Sequence, residues 1–131
     1  YPGSPKVEEN IVSSKIIINN KEVIPISALH KDLQVYGYRF ENFAYLTDVK
    51  TINKKEIKKL SGIDVLVINA LRIEEHYSHF NLDQALEFIS TVKPRKAYLT
   101  HISYMLGFHN EVEKILPENV YLAYDGLEIT I

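Results

Sequence analysis

Ala97-Tyr98-Leu99-Thr100-His101-Ile102-Ser103 reads as a short buried strand that delivers one histidine at its C-terminal end. Three other strand-like runs also stop at a polar or titratable residue: Phe43–Thr47 at Asp48, Asp64–Ile68 at Asn69, and Val120–Tyr124 at Asp125. Strands ending in such groups are how an α/β sheet builds a site along its carboxyl edge. His101 is the expected centre of that site.

Composition narrows the setting. At 131 residues the chain is long enough to bury a real core. Its 46% hydrophobic and 24% charged content is ordinary for a globular protein. A net charge of −2 with no Lys/Arg run gives no nucleic-acid footprint. The absence of cysteine excludes a disulfide scaffold and a thiolate metal site, and fits a cytoplasmic enzyme. No apolar run approaches the ~20 residues of a membrane span, and no signal-peptide pattern is present. The sequence opens on Tyr1-Pro2-Gly3-Ser4-Pro5 without Met, so it is read as a segment of a longer protein.

Outward from the central strand, the pattern predicts an extended lead-in over residues 1–10 and two β-hairpins over 11–47. The first joins Ile11–Ile18 to Val23–Ala28 through Asn19-Asn20, whose residues suit a tight turn. Leu29-His30-Lys31-Asp32 hands the chain to the second, in which Val35–Phe40 and Phe43–Thr47 meet at Glu41-Asn42. Residues 48–131 alternate helix and strand. Asn53 and Glu56 form a capping-box start for a short helix through Leu60, stopped by Ser61-Gly62. Asp64–Ile68 is a continuous apolar strand of the kind covered on both faces. Asn81 and Gln84 cap a helix with Leu82, Ala85, Leu86, Ile89 and Val92 at helical spacing, ended by Pro94. After Lys96–Thr100, a helix from His109 to Leu116 turns Val112, Ile115 and Leu116 inward, and Val120–Tyr124 and Leu127–Ile131 close as strand. The expectation is one partial α/β domain over residues 1–131, a mixed sheet with covering helices.

Of the five histidines, His30, His79 and His101 fall at loops or element ends, as does Asp48. Imidazole and carboxylate suit Zn²⁺, Mn²⁺ or Fe, and a dinuclear site needs one carboxylate able to bridge. Any one of them taken alone is as readily a surface or satisfied core histidine, and spacing alone does not bring them together. His76-Tyr77-Ser78-His79 is an H-x-x-H pair, but Asn81 caps the following helix and leaves the pair in a loop.

Longer motifs add to this. Tyr45-Leu46-Thr47-Asp48, Asp64 through Arg72, His79-Phe80-x-Leu82-x-Gln84-Ala85-Leu86, Ala97 through Ser103, and Leu116 through Leu127 resemble the metallo-β-lactamase-fold hydrolases. The resemblance is to the branch related to phosphoribosyl cyclic phosphodiesterase (PhnP-like) and, more distantly, to tRNase Z. It implies the C-terminal half of an αββα sandwich and two divalent metal ions, Zn or Mn, in the intact protein. It also implies metal-ligand roles for His30, Asp48 (bridging) and His101, and a role for His79 in protonating the leaving oxygen or steadying the phosphate.

Two departures from the family pattern matter. The principal motif, H-x-H-x-D-H, is absent from the chain, so half a site is expected here and these residues alone are expected to be inactive. Tyr104 stands where the family often has the second His of His-Ile-Ser-His, and a phenol cannot act as an imidazolium.

Two readings of function follow. One is a phosphodiesterase acting on a small cyclic or nucleotide-like phosphate. The other is a non-catalytic α/β dimerisation or partner-binding module with relic histidines. A half-sandwich would also expose one sheet face as an apolar patch, which implies packing on the missing half or on a second copy.

Overall fold

The computed structural model describes residues 14–131 together with Gly3, Glu9, Ile11 and Val12. Most of the expected lead-in over residues 1–10 lies outside the described residues. Seven strands form one sheet in sequence order: β1 (Ile16–Ile18), β2 (Lys21–His30), β3 (Leu33–Phe40), β4 (Phe43–Leu46), β5 (Val65–Asn69), β6 (Lys96–Thr100) and β7 (Val120–Leu122). Neighbours from β1 to β4 are antiparallel, and those from β4 to β7 are parallel. β2 and β4 therefore run the same way as β5, β6 and β7. All five send their C-terminal ends to one edge of the sheet.

The sheet departs from the two separate hairpins read in the sequence. β2 runs on through His30 and pairs with β3 across its whole length, so the first four strands make one meander. The turn at Lys31-Asp32 is closed by Lys31 at φ 53. Lysine, unlike its neighbour Asp32, carries no turn signature, so the pattern showed the turn only faintly. At the other end of β2 the Asn pair behaves as its chemistry dictates, with Asn19 and Asn20 both at positive φ. Ile11 and Val12 lie outside any strand, and β1 begins only at Ile16.

Side chains alternate across the sheet as its period of two requires. Ile26, Leu46, Leu66, Ile68 and Leu99 point to one face and are fully buried. They pack with Leu60 beside α1 (Lys54–Lys58) and with Phe88 and Ile89 of α2 (Leu82–Val92). Gly37 on β3 is needed by close approach, since a Cβ there would stand 2.5 Å from the Leu46 side chain and 2.8 Å from the Tyr45 carbonyl oxygen. The opposite face carries a register row of Tyr38, Tyr45, Val67, Tyr98 and Tyr121 across five strands. Of these, Tyr38, Tyr45 and Tyr121 remain 36–44% exposed.

Both predicted caps form, one only halfway. Asn81 and Gln84 bond reciprocally as a full capping box on α2. At α1 the Asn53 side chain accepts from Glu56 N, but the Glu56 carboxylate turns away to the Ser27 N–H and to Lys59. Near the C-terminus the structure differs from the sequence expectation at two places. The expected helix from His109 to Leu116 is one α turn, α3 (His109–Val112), followed by a 3-10 turn over Glu113–Ile115. Tightening to three residues per turn rotates the face, so Ile115 is 67% exposed while Leu116 still packs on the core. Leu127–Ile131 is not a strand. The chain reverses at Asp125-Gly126, where Leu127 N–H bonds back to Tyr124 O, and the alternating residues that follow pair with no ladder.

Candidate metal centre

His30 is the last residue of β2. The segment after β4 is stitched to that strand end by Leu29, whose N–H donates to Thr51 O at 2.8 Å and whose carbonyl accepts from Lys50 N at 2.8 Å. This brings Asp48, two residues beyond β4, alongside His30. Asp48 takes a left-handed backbone at φ 60, and His101, the first residue beyond β6, does the same at φ 55. Both strands thus turn sharply at the residue that carries the chemistry, a placement that costs conformational energy for an L-residue and is typical of sites. His79 sits in the connection between β5 and α2. Its neighbour Phe80 donates its N–H to Val49 O at 2.8 Å.

The four side chains converge. His30 Nε2 and His79 Nε2 are 3.2 Å apart. Asp48 Oδ1 lies 3.7 Å from His79 Nδ1 and 3.6 Å from His101 Nε2. The His79 ring is 4.5 Å from that of His30 and 4.7 Å from that of His101, centroid to centroid. Ligand atoms of His30, Asp48 and His79 all fall within 4.8 Å of one another. His101 joins them through Asp48 and the His79 ring. His79 thus occupies a position in which an imidazole can ligate a cation, as well as one that can reach a phosphate.

The donor set fits a divalent cation. His79 is buried, and its Nδ1 is the buried side-chain atom left without a hydrogen-bond partner among the described residues. The nearest carboxylate oxygen, at 3.7 Å, is beyond hydrogen-bonding distance. An orphaned imidazole nitrogen facing a carboxylate is costly unless something positive stands between them. Burial pushes the His79 pKa below its usual 6.5, the neighbouring His101 and His30 push it further, and Asp48 only partly opposes them. A neutral imidazole with a free lone pair is the form that binds a metal.

Other residues flagged in the sequence fall around this centre. The H-x-x-H pair lies in a loop, as read, with the His76 ring 5.3 Å from that of His79 and its Nδ1 held by Ser78. Asp125 and Tyr124 line a cleft of about 250 Å³ with Thr100, His101, Ile102 and Ala123. Tyr104, at the position of the family's second histidine, is 92% exposed and outside the cluster. In the sequence Asn69 stands out only as a polar strand end. The structure shows it fully buried, with its amide bonded on both sides to the Val49 backbone beside Asp48. An amide closing an otherwise all-apolar strand was the available signal.

Comparison with known proteins agrees with this architecture. Residues 10–102 match the model of the beta-lactamase superfamily domain. The chain is 35% identical, over its whole length, to part of a protein named octanoyltransferase from Porphyromonas gingivalis, of which it spans 27%. Among solved structures, a diphosphatase from the PhnP family superposes with a TM-score of 0.89 at 35% identity, over 92% of this chain and 47% of that one. Human tRNase Z, short form, shares the fold at a TM-score of 0.68 and 18% identity, over 90% of this chain and 47% of that one. The chain thus spans about half of these structures or less of the curated relative. With its mixed seven-stranded sheet and the family match over most of its length, the chain belongs to the beta-lactamase superfamily and has the metallo-β-lactamase fold.

Proposed function

We propose that the protein carrying this chain is a metal-dependent hydrolase, a phosphodiesterase acting on a small cyclic or nucleotide-like phosphate. The observation that carries the reading is the convergence of His30, Asp48, His79 and His101 from four separate segments onto one sheet edge, with Asp48 Oδ1 within 3.7 Å of two imidazoles. The likeness to a PhnP-family diphosphatase at 35% identity supports phosphoryl chemistry. The name octanoyltransferase describes a protein of which this segment is 27%, and the His and Asp cluster does not call for acyl transfer.

His30, Asp48 and His101 would hold two divalent cations, zinc or manganese, with the remaining ligands supplied by an H-x-H-x-D-H motif outside these residues. When bound, such cations polarise a phosphoryl oxygen and make water acidic enough to attack near neutral pH. His79 would steady the phosphate through a ring N–H, or hand a proton to the leaving oxygen from its protonated form; its place beside His30 and Asp48 also lets the neutral ring lend a lone pair to a cation. The left-handed turns at Asp48 and His101 keep both side chains on the same edge before substrate arrives, so little reorganisation is needed at the moment of reaction. The exposed tyrosine face is covered by the other half of the full-length protein. The test is hydrolysis of bis(p-nitrophenyl) phosphate by the full-length protein with Mn²⁺ or Zn²⁺. Metal-dependent turnover that His101→Ala removes supports the reading; no metal-dependent turnover, or none lost in the variant, contradicts it.

A further inference from the structure

Asn69 is the last residue of β5, is fully buried, and has no place in the ligand set above. Its side chain grips one backbone unit from both sides. Oδ1 accepts from Val49 N–H at 2.8 Å, and Nδ2 donates to Val49 O at 3.0 Å. Val49 directly follows Asp48. The same Val49 carbonyl accepts the Phe80 N–H at 2.8 Å, and Phe80 directly follows His79. On its other flank, the register pairs Asn69 with Thr100, and Ala70 N–H donates to Thr100 O at 3.0 Å. Thr100 directly precedes His101. One amide residue therefore stands beside the backbone neighbours of three of the four clustered side chains.

The rest of β5 is Val-Leu-Val-Ile, all buried, and an aliphatic residue at position 69 would continue that pattern. It would also leave the Val49 N–H, in a fully buried residue, without its side-chain partner. An unmet buried donor is strongly unfavourable. Aspartate tolerates the left-handed region better than most L-residues, but nothing in its own preference selects φ 60 over an extended backbone. The selecting contact is the two-sided bond just after it.

We infer that Asn69 is a positioning residue for the metal centre: it fixes Asp48 in the conformation that aims its carboxylate at His79 and His101, and ties the His79 segment to the same point. This inference rests on the metal-site reading above. Partners of this kind, one bond removed from the ligands, set affinity by orienting them.

The experiment titrates Mn²⁺ into the full-length protein by calorimetry and records the visible absorption of the Co²⁺-loaded form. The variants are Asn69→Ala, which loses both bonds, and the isosteric Asn69→Asp, which when ionised keeps the acceptor and loses the donor. Asn53→Ala, which removes the α1 cap away from the site, controls for lost stability. Both Asn69 variants are expected to bind Mn²⁺ at least about tenfold more weakly and to shift the Co²⁺ bands. Asn53→Ala is expected to melt lower yet bind as wild type does. Should Asn69→Ala fail to fold, Asn69→Asp decides. Wild-type affinity and bands in the Asn69 variants, or equal weakening in Asn53→Ala, would overturn the inference and leave the metal-site reading standing. If the wild-type protein itself binds neither ion, both fall.

Discussion

His30 Nε2 and His79 Nε2 lie 3.2 Å apart although 49 residues separate them in the chain. Two imidazole nitrogens at that distance share one proton at most, so one must present a lone pair. A cation offers both of them a better partner than each other. Replacing either His30 or His79 by Ala in the full-length protein is therefore expected to weaken Mn²⁺ binding by at least about tenfold, and the double variant by less than the product of the two. Calorimetric titration reads this directly. Unchanged affinity in both single variants would remove these residues from the site.

Asp48 gives a cleaner test, because its backbone restricts what can replace it. At φ 60 an alanine would add backbone strain to the loss of the carboxylate. Asparagine tolerates the left-handed region, so Asp48→Asn removes the charge and little else. Hydrolysis of a phosphodiester by the metal-loaded full-length protein is expected to fall by at least about a hundredfold, roughly 2.7 kcal/mol in transition-state stabilisation, with the melting temperature of the metal-free protein nearly unchanged. A variant that melts normally and retains full activity would show that this carboxylate is not needed.

Away from the site, Glu56 predicts how stability varies with pH. Burial pushes its pKa up, but the bonds from Lys59 and the Ser27 N–H, each 2.7 Å, outweigh this and hold it below the usual 4.5. Above 4.5 the carboxylate is ionised in both the folded and unfolded chain, and the folded state keeps the full benefit of its partners. As pH falls below 4.5 the unfolded chain takes up the proton first, and the benefit fades until the folded carboxyl is protonated too. Glu56→Gln is expected to cost about 1–3 kcal/mol near neutral pH, with its melting temperature approaching that of wild type as the solution is acidified. A gap that stays constant down to strong acid would contradict the assignment.

The tyrosine face makes a prediction about the 131-residue segment by itself. Tyr38, Tyr45 and Tyr121 stand in one row and stay more than a third exposed, and the tail residues Leu127, Ile129 and Ile131 only partly line the cleft beside them. The isolated segment is expected to bind a hydrophobic dye and to self-associate in light scattering, whereas the full-length protein does neither through this face. A monomeric, dye-silent segment at high concentration would mean the face needs no cover.

Much of this architecture was legible in the sequence because burial leaves a periodic trace. The continuous run Val65–Ile68 and the capped helix from Leu82 to Val92 could be read from side-chain pattern and end chemistry alone. His30, Asp48, His79 and His101 were marked by position, each at or beyond the end of an element, but only resemblance suggested that they meet. Pairing leaves a fainter trace than burial. The left-handed position of the β2–β3 turn falls on Lys31 and not on its neighbour Asp32, so the turn chemistry there gave only a faint trace of the hairpin. Leu127–Ile131 alternates like a strand because one side rests on an apolar face, yet no neighbour offers it a ladder. Glu56 sits at the right spacing for a capping box, but a lysine one turn away and a backbone N–H on β2 compete for its carboxylate and win. The role of Asn69 depends wholly on which backbone crosses it, which a linear pattern cannot contain.

If His30, Asp48, His79 and His101 form one metal centre, a cation should be visible among them. Anomalous scattering from crystals of the full-length protein grown with Mn²⁺, recorded at the manganese edge, tests it most directly. An anomalous peak bounded by Asp48 and at least two of these histidines is expected, weakened or removed in His101→Ala. A well-ordered Asp48 and His79 at this sheet edge with no peak between them, in crystals soaked at saturating Mn²⁺, would contradict it.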